Sequence, residues 1–173
     1  MLISAVREDL CLAYANTLSW RGSATPVEEL RDFAALLGWI ERSAGVGAGG
    51  AREIKNWARR HRRKAATVFA EAVALREVIF RIFAAFAVGE PVRDRDFLAL
   101  KSALAAAPVR SELAPLHGGY AWRIEHPRPS VSDLLIAVLW SAADLMLDAR
   151  KRRIRQCANE KCLWLFLDES KSG

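Results

Sequence analysis

Residues 51–87 set most of what this chain can fold into. Ile54, Trp57, Ala58, His61, Ala65, Val68, Ala72, Leu75 and Ile79 recur at three- and four-residue steps, the spacing that lines one helix face. The pattern predicts one long helix or two abutting ones, stopped by Gly89-Glu90-Pro91. Shorter helical patterns flank it. Thr25-Pro26-Val27-Glu28 reads as a capping box with proline at the first helical position, opening a helix through Leu30, Ala34, Leu37 and Ile40. Gly45 is its expected stop, and 45–50 an expected loop. Asp94 to Ala107 predicts another helix, closed by Pro108. A last long one is expected from Ser130 or Ser132 toward Arg153.

Two stretches read differently. Residues 9–22 mix apolar residues with Asn16, Thr17 and Ser19, and their period does not decide between helix and extended chain. Tyr120, Trp122 and Ile124 alternate with Ala121, Arg123 and Glu125 behind His117-Gly118-Gly119, which predicts a small hairpin. The expected fold class is all-α: a multi-helix domain with a minor β-hairpin and a truncated C-terminal zinc-knuckle segment.

With 52% apolar residues among 173, the chain can form a full core of about one domain. Lysine and arginine exceed the acids by 26 to 20, a net +6, which permits an acidic partner such as nucleic acid without demanding one. The N-terminal stretch carries Arg7, Glu8 and Asp9 where a signal peptide would be apolar, and Leu134–Ala143 is about half the length a membrane helix needs. A soluble cytoplasmic protein is expected. Three cysteines make no disulfide framework.

Cys157 and Cys162 form a C-x4-C pair across Ala158-Asn159-Glu160-Lys161, a credible turn, ahead of an expected strand at Leu163–Leu167. Two thiolates so spaced can reach one tetrahedral zinc, but a structural zinc takes four ligands. The other reading is two incidental thiols near a helix end.

The run C-A-N-E-K-C-L-W-L-F-L-D-E-S (157–170) resembles the first half of the CGNR-type zinc finger. Upstream, D-L-C-L-A-Y-A-N-T-L-S-W-R (9–21), L-R-E-V-I-F-R-I-F-A-A-F-A-V-G-E-P (75–91) and the Leu134–Cys162 junction resemble the ABATE domain of stress-induced transcription regulators, which usually precedes that finger. The resemblance implies a helical ABATE-like domain at 1–153 and the first half of a finger at 154–173, the sequence ending before a second cysteine pair. It implies a bacterial cytoplasmic transcription regulator, with zinc at a half-site and DNA as partner. Cys11 or a histidine could complete the ligand set within the chain. A homodimer could share one ion.

Two basic clusters stand out. Arg52, Lys55, Arg59, Arg62 and Arg63 share a broad helix face, either a phosphate-contacting stripe or a solvated surface. Arg150-Lys151-Arg152-Arg153-Ile154-Arg155 sits where cations complement a helix dipole, or where Arg152, Arg153 and Arg155 add nucleic-acid contacts beside the finger. Asn16, Thr17, Arg21 and Arg76 are polar groups in apolar surroundings. They form either a structural network, with Arg76 on carbonyls or an acid such as Asp9, or a pocket for a small anionic ligand. No catalytic motif appears, and Cys11 between Leu10 and Leu12 reads as a buried small residue. No enzyme is expected. The second functional reading is a ligand- or protein-binding helical domain without DNA contact.

Overall fold

The computed structural model describes residues 2–3, 7–43, 48–116, 118–124 and 130–170. Two helices occupy the predicted 51–87 span. α3 (Ala48–Arg60) and α4 (Arg62–Val88) break at His61, whose ring stacks on Trp57 at 5.3 Å. α4 is the axis of the molecule. Its Ala65, Val68, Ala72, Leu75, Ile79, Ile82 and Phe83 are buried, continuing the period of the sequence, and Gly89 caps it in the left-handed region at φ 74°. α1 (Leu10–Ala15) packs between α4 and α7 (Ile136–Leu147), which is buried from Ile136 to Ala142. The Tyr14 hydroxyl donates to the Ala72 carbonyl at 2.9 Å, fixing α1 on α4.

The remaining helices are α2 (Phe33–Ser43), α5 (Asp94–Ala106) and α6 (Val131–Leu134). Three small sheets lie around them. β1 (Leu2–Ile3) pairs with β5 (Gly119–Arg123), which pairs with β4 (Glu112–Leu116), all antiparallel. β2 (Leu18–Ser19) pairs with β3 (Val27–Glu28), and β6 (Ile154–Gln156) with β7 (Leu165–Leu167).

The all-α expectation with a zinc-knuckle segment is corrected. Helix makes up 58% and strand 14%, in seven α-helices and three small sheets among the described residues, a mixed α/β fold. No group of three or more His, Cys, Asp or Glu side chains able to hold a metal ion occurs among those residues. The strands were hard to read because several are two or three residues long and paired across sequence distance, too short for a period-2 signal.

Three element boundaries move for identifiable reasons. Val27 and Glu28 do not open a helix; they form β3, and Asp32 instead caps α2 by accepting from the Ala35 amide at 2.8 Å. The expected loop at 45–50 is helical from Ala48, while 45–47 lie outside the described residues. The last expected helix breaks at Leu135 and Asp148, so 149–153 is a 3-10 turn and 154–156 a strand. The cluster therefore follows the end of α7 instead of extending it: Lys151 donates to the Met146 carbonyl in the last turn of α7 at 2.8 Å, as the helix-end reading expects, while Arg155 lies on β6. Glu125, His126 and His117 lie outside the described residues.

Candidate functional site

α1, the loop after it, β3 and α4 converge on a charged cluster. Arg76, 2% exposed, donates from both terminal nitrogens to the Glu28 carboxylate at 2.6 and 2.8 Å. Its Nε donates to Glu77 Oε1 at 2.9 Å, and Nη1 to Thr17 Oγ1 at 3.3 Å. Arg21 donates to Glu77 at 2.6 and 3.2 Å and to the Ala15 carbonyl at 2.8 Å, with its guanidinium 3.9 Å from the Phe80 ring centroid. Burial works against the charge on Arg76, but Glu28 and Glu77 outweigh it and the pKa rises. Burial likewise raises the Glu77 carboxyl, but Arg21 and then Arg76 pull it below its ordinary value.

The structure thus brings Thr17, Arg21 and Arg76 together, and places Glu28 and Glu77 in the arginine forks where a free anion would bind. Asp9 is not the partner; it pairs with Arg7. Sequence reasoning missed both glutamates. The capping-box pattern assigns Glu28 to a helix start, and local pattern does not mark Glu77 as a partner of Arg76. The available signal was that a buried arginine on an apolar helix face requires a carboxylate.

Asn16 does something different. Its Nδ2 donates to the Leu165 carbonyl at 2.8 Å, and the Leu165 amide donates to its Oδ1 at 3.0 Å. The side-chain amide imitates one residue of a neighbouring strand and satisfies the inner edge of β7. Leu165 and Ile154 are buried beneath this contact. The C-terminal hairpin is thereby fastened to the body of the molecule.

Cys157 and Cys162 lie at the end of that hairpin. The Cys157 amide donates to the Trp164 carbonyl at 2.8 Å, and the Cys162 amide to the Asn159 carbonyl at 2.8 Å, which folds the intervening residues back. Asn159 Oδ1 also accepts from the Lys161 amide at 3.0 Å. Leu163 closes the turn at φ 57°. The turn rests on Gly22: a Cβ there would stand 1.9 Å from the Glu160 carbonyl oxygen, so only glycine permits the approach. Both cysteines are free and partly exposed. Cys11 is fully buried, with its thiol pushed up to about 12, chiefly by burial, which opposes any ligand role.

The hairpin's outer face is basic and aromatic. Arg155 lies opposite Phe166 in the β6–β7 register, and Trp164 and Phe166 are 44% and 42% exposed. Arg153 donates to the Ser170 carbonyl and Arg155 to the Arg152 and Ile154 carbonyls; among the described residues none of Arg152, Arg153 and Arg155 forms an ion pair with a carboxylate. Arg150, next to them, is neutralised by Asp148 and Glu8. In the other basic run, Lys55 pairs with Glu41 at 3.0 Å.

No helix among the described residues is long and apolar enough to cross a membrane. None of the curated proteins matches the chain. Residues 8–149 match the ABATE family, described as "putative stress-induced transcription regulator"; the cysteine hairpin lies beyond the matched span. With the match covering most of its length, the chain belongs to the ABATE family.

Proposed function

We propose that the chain is a transcription regulator whose ABATE body holds the β6–β7 hairpin as a DNA-contacting element. The observation that carries this is the outer hairpin face, where Arg152, Arg153 and Arg155 form no ion pair among the described residues, with Asp168 as the acid that feels Arg153 and Arg155, beside exposed Trp164 and Phe166. Guanidinium groups displayed this way neutralise backbone phosphates and release counterions. The proposal assigns no catalytic step. Binding of duplex DNA across a salt series tests it. Replacing the three arginines with glutamine should weaken affinity and reduce the slope of log K against log salt by roughly 0.9 per lost phosphate contact. Unchanged affinity and slope would sink the proposal.

Zinc is proposed as the ion of Cys157 and Cys162. The two thiols fit half of a tetrahedral site, which needs two further ligands. A homodimer sharing one ion between two such pairs supplies them. Metal content with native mass should then give about half a zinc per chain in a dimer, lost in the Cys157→Ser/Cys162→Ser variant. A metal-free protein would refute the assignment. The second reading, a ligand-binding body without DNA contact, draws support from the groove between α2, α3 and α4.

A further inference from the structure

A groove of about 950 Å³ runs between α2, α3 and α4, on the side of the molecule built by the basic run. Phe33 and Leu37 of α2 and Phe69 of α4 line it, and between Arg62 and Phe69 α4 contributes only the small side chains of Ala65 and Ala66, which leaves the space open. Three arginines stand at its rim, Arg31, Arg59 and Arg62, all exposed and with no side-chain ion pair or hydrogen bond among the described residues. Lys55, also on the rim, is already paired with Glu41. Among the described lining residues the one acid is Asp32, which accepts from the Ala35 amide as the cap of α2.

Helix stability accounts for Arg59, in the last turn of α3 where a cation complements the dipole, but not for Arg62. Arg62, Arg63 and Lys64 occupy the first turn of α4, where no acid stands and the dipole disfavours cations. A solvated surface does not explain the floor either, because phenylalanine and leucine side chains line the same concavity. A phosphodiester backbone would use the arginines and leave the apolar floor unused. The size lies within the roughly 300–1,000 Å³ of small-molecule sites, and the lining is mostly apolar with a few charged groups at one margin.

We infer that this groove binds a small amphiphilic anion, its apolar body against Phe33, Leu37 and Phe69 and its carboxylate on Arg59 and Arg62. The site is separate from the β6–β7 hairpin and does not depend on DNA contact there. It is also separate from the Arg21/Arg76 cluster, whose forks are filled by the protein's own glutamates.

The test is calorimetric titration of the full chain with dodecanoate below its micellar concentration, beside dodecanol, of equal chain length, as the uncharged control and a short DNA duplex as the polyanionic one. Saturable one-to-one binding of dodecanoate is expected, with dodecanol at least about tenfold weaker, the size of a lost charged hydrogen bond. Two variants separate the contributions. Arg59→Gln/Arg62→Gln should weaken dodecanoate about tenfold while leaving dodecanol unchanged. Ala66→Phe, at an exposed α4 position, should block the groove without touching a charge and abolish both. Each variant's circular dichroism melt establishes that it is folded. Non-saturable binding, or equal dodecanoate affinity in wild type and Ala66→Phe, overturns the inference. It is equally overturned if the duplex alone binds and loses affinity in the arginine variant but not in Ala66→Phe.

Discussion

Arg76 shows how much one buried charge can organise. Two of its nitrogens take Glu28, drawn from β3, and a third takes the adjacent Glu77, which also holds Arg21. Removing one carboxylate from such a pair leaves an uncompensated buried cation, a loss of about 3–5 kcal/mol when both partners are fully buried. Glu77 is 31% exposed, so Glu77→Gln should cost less, about 2 kcal/mol at neutral pH. The pH dependence follows from the direction of the shift. The folded state holds the Glu77 proton less tightly than the unfolded chain, so the stabilisation is in place above the ordinary 4.5 and is lost as pH falls below it. Denaturant titrations between neutral pH and pH ~3 should show a shallower acid-side fall in Glu77→Gln than in wild type. Identical slopes would contradict the network. The polar character of Asn16, Thr17, Arg21 and Arg76 was legible in the sequence. Their carboxylate partners were not, because Glu28 is brought in by a strand pairing that local pattern does not encode.

At the scale of elements, the informative case is the C-terminal hairpin. Helical spans declared themselves through period and punctuation: α4 ends at the Gly89 cap and α5 at the approach to Pro108. The β4–β5 hairpin was readable from its alternation. β2 and β3 were not, having two residues each. Nor was the role of Asn16, which replaces a missing strand partner for Leu165 across 149 residues of chain. A buried amide and carbonyl left unpaired cost about 1–3 kcal/mol. Asn16→Ala should therefore lower stability by about 2 kcal/mol and raise hydrogen exchange at Leu165 and at Cys157, whose amide donates to the adjacent Trp164 carbonyl. Loss of stability without faster exchange at these amides would show that Asn16 acts elsewhere.

At the scale of the molecule, positive charge is divided between two surfaces. One is the rim formed by Arg31, Arg59 and Arg62 over an apolar groove. The other is the hairpin face of Arg152, Arg153 and Arg155 with Trp164 and Phe166. The net +6 in the sequence announced neither location. They share no residue, a property of the tertiary structure, and they differ in chemistry: concave and apolar for one, half-exposed and aromatic for the other. The central claim is that DNA meets the second. Hydrogen exchange of the full chain with and without duplex DNA at moderate salt tests it most directly. Protection at 152–167 with 52–69 unchanged is the predicted result; protection confined to 52–69 would contradict it.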